Sequence, residues 1–343
     1  MTELTRDALG WSPFYMSQLD SADLESLTPA RIATVHRDRV NALSEIGPLE
    51  LTLDPGITTG AVAVGDWVLC KPDQHRVIRV LNRKTELSRG TEYHSGEKQL
   101  IAANIDTLFI TTSCNEDFNE ARLERYLAMA HDALITPVIL LTKADKCVAP
   151  QAFIERAQAL GRDLAVIALD AKSGAVADLL APWYDKGQTV ALVGTSGVGK
   201  TTIANALTGG NAATRAIRED DARGRHTTTG RSLHALPKGG WLIDTPGMRG
   251  LGVAEVAFGI DATFPEISER AARCKFRDCA HESEPGCAVQ AAVKTNEIDP
   301  ERLRRFKKLS QENKQATDTI AQVRDRSKKA GKPQKGAANK RGR

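Results

Sequence analysis

Gly194-Thr195-Ser196-Gly197-Val198-Gly199-Lys200-Thr201 is the stretch that decides the fold of this chain. It fits Gly-x4-Gly-Lys-[Ser/Thr], in which glycines let successive backbone N–H groups turn towards one anion. Residues 189–193 before it have the pattern of a short buried strand, and residues 202–207 after it that of a helix. The helix N-terminus adds partial positive charge. The stretch therefore predicts a nucleotide-phosphate site, with Lys200 on the β- and γ-phosphates and Thr201 on Mg²⁺.

Length and composition place this site in a multidomain globular protein. A chain of 343 residues has room for two or three domains, and 41% hydrophobic with 26% charged residues is ordinary for that class. No apolar run approaches the length of a membrane span, and residues 1–15 lack the apolar core of a secretory signal. We therefore expect a cytoplasmic protein without membrane contact. Clustered cysteines then indicate metal ligands rather than disulfides.

Positive charge is concentrated at the end of the chain. Residues 327–343 hold seven Lys/Arg and no acidic residue, so the rest of a chain of net charge +4 carries −3. Such a tail is typical of attraction to nucleic acid or to an anionic membrane, although it also fits a solvated, solubilising extension.

Residues 30–103 predict a small β-barrel after a polar, weakly patterned extension over 1–29. Five short apolar stretches separated by Gly-Pro, Pro-Gly and Pro-Asp turns are typical of such a barrel. The predicted strands are 32–35, 40–43, 49–53, 61–70 and 77–81. A basic cluster fits phosphate contacts and a solvated barrel face equally well, and its members are Lys71, Arg76, Arg79, Arg83, Lys84 and Arg89.

Residues 104–257 alternate between strand and helix patterns. This alternation predicts a parallel sheet with helices on both faces, and ligand loops at the carboxyl ends of its strands. Strands are predicted at 107–111, 138–141, 164–169, 189–193 and 241–243, with a helix at 119–133. The polar motifs described next all follow predicted strands.

Two further motifs accompany the phosphate loop. Thr142-Lys143-Ala144-Asp145 resembles the [Asn/Thr]-Lys-x-Asp element of GTPases, in which the last carboxylate accepts hydrogen bonds from guanine. Thr142 stands where many GTPases have Asn, and we expect it to support the loop less well. Asp244-Thr245-Pro246-Gly247 matches Asp-x-x-Gly, whose Asp belongs to the Mg²⁺ shell and whose Gly reports on the γ-phosphate.

The order of these motifs differs from that of ordinary GTPases. There the phosphate loop comes first and the base-reading loops last, whereas here 142–145 and 170–172 precede 194–201. This order predicts a circularly permuted domain. Its second switch, after Gly247, leads directly into the following domain.

Four metal-ligand residues lie within fourteen positions of the next segment. Cys274, Cys279, His281 and Cys287 give three thiolates and one imidazole, which predict a closed, structural Zn²⁺ site. Asp299-Pro300-Glu301 is a good helix start. We therefore predict a mostly helical zinc-binding domain over 258–327 and a basic disordered tail over 328–343. The remaining cysteines are predicted to be small core or near-surface residues: Cys70, Cys114 and Cys147.

Taken together, the chain resembles the ribosome small-subunit-dependent GTPases of the RsgA, or YjeQ, family. The resemblance rests on Gly65-Asp66-Trp67-Val68, the permuted motifs, Arg225-His226-Thr227-Thr228 and Cys-x4-Cys-x-His-x5-Cys. It implies an OB-fold barrel, one structural zinc ion, and Mg²⁺-dependent GTP hydrolysis on the small ribosomal subunit and its rRNA during late maturation. It also implies that the Ala171 N–H contacts guanine, with Asp170 replacing the usual Ser before it.

GTP hydrolysis needs a group that orients the attacking water. Met248 occupies the position of the Gln that does this in Ras-like enzymes, and it cannot hydrogen-bond water usefully. His226 is the nearest replacement in kind, although structural or RNA-contacting roles fit it equally. Thr228 is the switch threonine expected on Mg²⁺. Gly197, where potassium-activated GTPases have Asn, argues against a potassium requirement.

We thus predict a monomeric GTPase, with catalytic residues His226, Lys200 and Thr228, and Mg²⁺ held by Thr201, Thr228 and Asp244. The predicted GTP-binding residues are Thr142, Lys143, Ala144, Asp145, Ala171, Lys172, Gly194, Thr195, Ser196, Gly197, Val198, Gly199, Lys200, Thr201, Thr202, Asp244 and Gly247. Two alternatives remain at this point. A P-loop ATPase or kinase is opposed by Asp145 and by Ala171-Lys172. A GTP-regulated zinc/OB RNA-binding protein with little turnover is opposed by Lys200 and Thr201.

Overall fold

The N-terminal part of the chain forms a closed β-barrel. The structure is a computed structural model that describes residues 4–90, 98–210, 231–244 and 255–330. Between residues 28 and 80 the barrel strands are β1 (Thr28–Val35), β2 (Arg39–Ser44), β3 (Gly47–Leu53), β4 (Trp67–Lys71) and β5 (Arg76–Val80). Their order is β1-β2-β3-β5-β4, and β4 pairs back onto β1. The predicted five-stranded, OB-like barrel is confirmed.

One predicted strand is shorter than expected. Residues 61–70 were expected to be extended throughout, but β4 begins only at Trp67, after a 3₁₀ turn at Thr59–Ala61. Gly65 adopts φ +92°, and a Cβ there would lie 2.2 Å from the Ala103 carbonyl oxygen. Because only glycine fits that approach, the chain turns at Gly65 instead of continuing the strand. The buried Asp66 then accepts hydrogen bonds from the Ala63 N–H at 2.7 Å and from Arg83 Nε at 2.7 Å.

The N-terminal extension is more closely integrated than its sequence indicated. It contains α1 (Pro13–Met16) and α2 (Ser21–Ser26), and it buries Leu9 and Tyr15 almost completely. The Trp11 ring packs edge-on against Trp67 of the barrel at a centroid distance of 4.8 Å. These apolar residues follow no helical or strand period, so their burial in the core could not be predicted from the sequence.

A two-stranded ribbon and a six-stranded sheet follow the barrel. The ribbon is β6 (Glu86–Gly90) and β7 (Lys98–Ala103). The described strands of the sheet lie in the order β10-β9-β8-β11-β13-β12. They are β8 (Thr107–Ser113), β9 (Thr136–Thr142), β10 (Ala165–Ala168), β11 (Thr189–Val193), β12 (Ser232–Ala235) and β13 (Trp241–Asp244). All are parallel except β12, which the sequence analysis did not predict and which runs antiparallel to β13.

Helices cover both faces of this sheet, as predicted. Residues of α3 (Glu120–Asp132) and α4 (Pro150–Gln158) belong to the apolar cluster on one face. Residues of α5 (Val176–Leu180) and α6 (Lys200–Leu207) belong to the cluster on the other face. The side chains of the central strands β8 and β11 are buried between the two layers, as is typical of a parallel sheet with both faces covered.

The barrel and the sheet meet at one edge. Thr34 of β1 pairs with Ser232 of β12 in antiparallel register. Nearby, Arg31 has only 1% of its surface exposed. Its guanidinium donates to the Leu9 carbonyl at 2.7 Å and to the Thr189 hydroxyl at 2.6 Å. Arg31 thereby links the N-terminal extension, the barrel and the first residue of β11.

The C-terminal part is helical and is attached to α3. Its helices are α7 (Ala257–Thr263), α8 (Pro265–Ala271), α9 (Ala288–Lys294) and α10 (Pro300–Ala330). Arg302 of α10 lies with its guanidinium 4.3 Å from the Phe264 ring centroid, and it donates to the buried Glu124 carboxylate at 2.9 Å. It also donates to the Leu160 and Thr263 carbonyls. Among the described residues, no helix is both long and apolar enough to cross a membrane.

Replacing Arg302 tests this attachment. We expect Arg302→Met to lower the free energy of unfolding by about 3 kcal/mol. The substitution removes the donor of two carbonyls, those of Leu160 and Thr263, and it removes one arginine partner of the buried Glu124 carboxylate. Urea denaturation followed by circular dichroism measures the change. The matched control is Arg304→Met on the same helix, whose ion pair with Glu301 is exposed. It should change the stability by less than about 0.5 kcal/mol. Equal losses in the two variants would contradict the assigned role.

Candidate nucleotide and metal sites

The phosphate loop lies between the end of β11 and the start of α6. The last residue before the helix, Gly199, has φ +98°, and α6 begins at Lys200. The Lys200 ammonium donates to the carbonyl oxygens of Gly194 at 2.8 Å and Thr195 at 2.6 Å. The lysine therefore lies across the loop formed by 194–199. Thr201, in the first turn of α6, has an exposed side chain.

Thr142 joins the predicted base-reading loop to the phosphate loop. Its hydroxyl is 2.6 Å from the Val198 carbonyl oxygen and 3.1 Å from that of Thr112. A Cβ on Gly199 would lie 3.5 Å from the Thr142 methyl group and 3.7 Å from the Ala171 Cβ. The structure thus brings together three segments that are far apart in sequence. We expected Thr142 to support its loop less well than Asn would, and its hydroxyl nevertheless reaches the phosphate loop directly.

The predicted base-reading loop is a short turn at the carboxyl end of β9. Lys143 adopts a left-handed conformation with φ +58°, and Ala144–Lys146 forms one 3₁₀ turn. Asp145 is exposed in that turn. The Lys143 ammonium lies 3.6 Å from the Asp117 carboxylate, which also accepts a hydrogen bond from the Ser113 hydroxyl at 3.2 Å. Asp117, which the sequence analysis did not identify, thus forms an exposed ion pair with Lys143.

Asp170, the residue that departs from the family pattern, stabilises the second predicted base-reading segment. The Asp170 carboxylate accepts the Lys172 N–H at 2.9 Å, and the Asp170 carbonyl accepts the Ser173 N–H at 3.0 Å. Asp can form the same local turn as Ser, because each has a side-chain oxygen within reach of the N–H two residues on. The turn places Ala171 next to Gly199, as noted above.

Asp244 is the last residue of β13, and it lies at the same sheet edge as the phosphate loop. β13 runs parallel to β11, with Ala191 opposite Ile243. On its other side Asp244 is opposite Ser232 of β12. The remaining predicted nucleotide and catalytic residues, His226, Thr228 and Gly247, lie outside the described residues, as does Met248.

The predicted zinc ligands come together near the start of α9. The ligand atoms of Cys274, Cys279, His281 and Cys287 all lie within 4.8 Å of one another. His281 Nδ1 is 3.5 Å from the Cys287 sulfur and 3.7 Å from the Cys274 sulfur. The two sulfurs are 3.9 Å apart. Zinc–ligand bonds of about 2.0–2.3 Å in a tetrahedron require ligand separations of about this size.

Neighbouring groups hold these ligands in position. Gln290 donates its amide to the His281 carbonyl at 2.6 Å, and the Gln290 N–H points at the Cys287 sulfur at 3.3 Å. Burial lowers the pKa of His281, which favours the neutral imidazole that a metal needs. The four residues could therefore hold a metal ion, and the Cys₃His donor set suits zinc.

A phosphate loop, the two segments predicted to read the base, and Asp244 lie at one edge of a parallel sheet, and this arrangement is that of a P-loop GTPase domain. Their order along the chain makes it a circularly permuted one. Comparison with known sequences agrees: the RsgA GTPase profile matches residues 80–254, and that of 50S ribosome-binding GTPases matches residues 189–335. The chain belongs to the RsgA GTPase family.

Individual relatives cover nearly the whole chain. The small ribosomal subunit biogenesis GTPase RsgA of Mesorhizobium japonicum is 56% identical over 94% of each chain. RsgA 2 of Vibrio vulnificus is 44% identical over 96% of this chain and 93% of its own. Among solved structures, YjeQ from Thermotoga maritima has a TM-score of 0.61 and 21% identity, covering 82% of this chain and 97% of its own. YloQ, a circularly permuted GTPase, has a TM-score of 0.57 and 24% identity, with coverage of 88% and 96%. At these identities, the structures establish the fold.

The link between Thr142 and Val198 can be tested by removing one hydroxyl. We expect Thr142→Val to weaken GTP binding about tenfold, because the buried Val198 carbonyl loses its donor. Titration with a fluorescent GTP analogue measures the affinity. Thr142→Ser keeps a hydroxyl and should bind as the wild type does, and Thr136→Val removes an exposed hydroxyl at the start of the same strand as a control. Wild-type affinity in Thr142→Val would show that the contact does not support the site.

Proposed function

We propose that this protein hydrolyses GTP to GDP and phosphate when it is bound to the small ribosomal subunit, during late maturation of that subunit. The observation that carries the proposal is the 2.6 Å contact of the Thr142 hydroxyl with the Val198 carbonyl, which joins the loop 142–145 to the phosphate loop; we propose that this loop reads guanine. The subunit comes from the printed names of the relatives, which are small ribosomal subunit biogenesis GTPases. We further propose that it acts as a cytoplasmic monomer.

Each residue of the site has a proposed task. The Asp145 carboxylate accepts hydrogen bonds from guanine N1–H and the 2-amino group, and the Ala171 N–H donates to the base. Lys143 lies beside the base and pairs with Asp117. Lys200 turns from its carbonyl partners to the β- and γ-phosphates, and the N–H groups of 194–202 surround them. Thr201, Thr228 and Asp244 would hold Mg²⁺, which neutralises charge on the phosphates when bound.

Water activation is proposed to depend on the ribosome. Met248 stands in the position of the usual glutamine, so the isolated protein should hydrolyse GTP slowly. His226 lies two residues before Thr228, so that ordering of this segment around Mg²⁺ would bring the imidazole near the γ-phosphate. This is the proposed catalytic role of His226, together with Lys200 and Thr228.

The barrel surface is proposed to contact rRNA phosphates. Not all of its basic cluster is available for this, because Arg83 pairs with Asp66 and Glu86, and Arg79 pairs with Asp23. Arg76 and Lys84 are exposed. The proposed contacts therefore involve these two residues and the basic tail, and binding to the subunit should weaken with salt.

The Cys₃His cluster is proposed to bind one structural zinc ion per chain. The donors leave no position for a catalytic water, and the bound metal would tie α8 to α9. We expect Cys287→Ser to lose the zinc and the ordered structure between residues 274 and 290, because a structural metal contributes folding free energy directly. Elemental analysis and limited proteolysis measure the two effects, with Cys70→Ser as a control outside the cluster. Zinc-free wild-type protein with the same protease resistance would contradict the proposal.

The proposed activity is tested by measuring phosphate release with and without purified small subunits. Wild-type protein should hydrolyse GTP slowly alone and at least tenfold faster with subunits, and it should not hydrolyse ATP. Asp145→Asn should lose stimulated GTP hydrolysis and gain activity with xanthosine triphosphate, whose 2-oxo group accepts a hydrogen bond from the new amide. Hydrolysis of GTP by Asp145→Asn at the wild-type rate would exclude the assigned base contact, and wild-type protein without stimulation would favour a GTP-regulated RNA-binding protein.

The same assay separates the possible roles of His226. If it orients water, His226→Ala should bind GTP and the subunit normally but lose most of the stimulated rate. His226→Gln should restore part of that rate, because an amide can also hydrogen-bond water. Normal stimulation of His226→Ala would show that the residue is not catalytic.

A further inference from the structure

The segment between two of the predicted zinc ligands contains an acidic residue that is bound to backbone N–H groups. Glu284 lies three residues after His281 and three before Cys287. One oxygen of its carboxylate accepts the Ala280 N–H at 2.7 Å, and the other accepts the Glu282 N–H at 2.8 Å. Because Ala280 and Glu282 are the two chain neighbours of His281, a single carboxylate holds the backbone on both sides of a predicted metal ligand.

His281 itself has an unfavourable backbone conformation. Its φ is +57°, in the left-handed region, which a residue with a Cβ adopts only with support from its surroundings. The residue is also buried, with 8% of its surface exposed. The position of the imidazole therefore depends on the contacts of the neighbouring backbone and not on the intrinsic preference of histidine.

The peptide unit that follows His281 is held at both ends. Its N–H, which belongs to Glu282, donates to Glu284, and its carbonyl accepts the Gln290 amide at 2.6 Å. Gln290 belongs to α9, and the Glu284 carbonyl accepts the N–H of Cys287, directly before that helix, at 3.3 Å. Glu284 and Gln290 together thus fix the orientation of this peptide relative to α9.

We propose that Glu284 is a positioning residue of the zinc site, whose carboxylate keeps the His281 backbone left-handed so that the imidazole stays within reach of the metal. The inference rests on the proposed zinc site, because Glu284 acts on the metal only through His281. The metal-ligand cluster itself consists of the three cysteines and His281. Groups that orient metal ligands in this way change metal affinity by about 10- to 100-fold when they are removed.

Loss of the Glu284 carboxylate leaves two N–H groups without their acceptor. The left-handed conformation of His281 then loses its support on both sides, and relaxation of the backbone moves the imidazole away from the thiolates. Gln290 still holds the His281 carbonyl, but one contact does not fix the rotation of the peptide. We therefore expect the metal to lose its nitrogen ligand while the three sulfur ligands remain.

The neighbouring Glu282 offers a matched control. Its carboxylate pairs with the Lys307 ammonium of α10 at 2.9 Å, and 67% of its side chain is exposed. Glu282→Ala removes the same charge directly beside His281 but keeps the Glu282 N–H in place. The electrostatic effect of a lost carboxylate on the metal is thereby separated from the effect of the lost backbone contacts.

The experiment measures metal binding by the full chain. Competition with a chelating dye gives the zinc affinity, and the visible spectrum at saturating cobalt reports which atoms ligate the metal. We expect Glu284→Ala to bind zinc about tenfold more weakly and to shift the cobalt d–d bands, because the nitrogen ligand is displaced. Glu284→Gln keeps one acceptor oxygen, so both of its values should lie between those of Glu284→Ala and the wild type. Glu282→Ala should match the wild type in both measurements.

The outcomes distinguish this inference from the proposed zinc site on which it rests. Wild-type protein that binds neither zinc nor cobalt would contradict the proposed site. If the wild type binds both metals, a wild-type cobalt spectrum in Glu284→Ala and Glu284→Gln would overturn the inference even if zinc affinity falls, because His281 would then still ligate the metal. An equal loss of affinity in Glu282→Ala would also overturn it, since the charge alone would explain the effect.

Discussion

The arrangement of the described part of this protein depends on one buried cation. The Arg31 guanidinium is almost inaccessible to solvent, and a charge in that position is tolerated only if protein groups replace its water. Burial lowers the pKa of Arg31 to about 10, which still leaves it charged at neutral pH. Its partners include the Leu9 carbonyl in the extension and the Thr189 hydroxyl at the start of β11. Any shift of the barrel against the sheet would leave the cation without them.

The position of Arg31 also determines which elements lie beside the nucleotide-binding sheet. Because β1 carries Arg31 and pairs with β12 at Thr34, the barrel is continuous with the edge of the nucleotide-binding sheet. Arg231 donates to the Leu100 carbonyl of the ribbon at 3.0 Å. On the other side of the sheet, α7 of the C-terminal part packs against α3.

Two residues depart from the GTPase pattern, but each has a side-chain oxygen that makes a contact with the backbone. Thr142 replaces Asn, yet its hydroxyl reaches the Val198 carbonyl. Asp170 replaces Ser, yet its carboxylate makes the same kind of turn with the Lys172 N–H. In both cases the partner is a backbone group, which any suitably placed donor or acceptor can satisfy. A comparison of residue types alone therefore does not show that these two positions still make their backbone contacts.

The sequence by itself determined the barrel, the parallel sheet, the permuted motif order and the grouping of four metal ligands. These features depend on local periodicity, on turn residues and on short spacings, all of which can be read along the chain. Only the tertiary structure showed that Leu9 and Tyr15 are core residues, that β12 completes the sheet, and that Arg31 joins the domains. It alone placed Asp117 beside Lys143. These relations join residues far apart in sequence or lacking any period, and they exist only once the chain has folded.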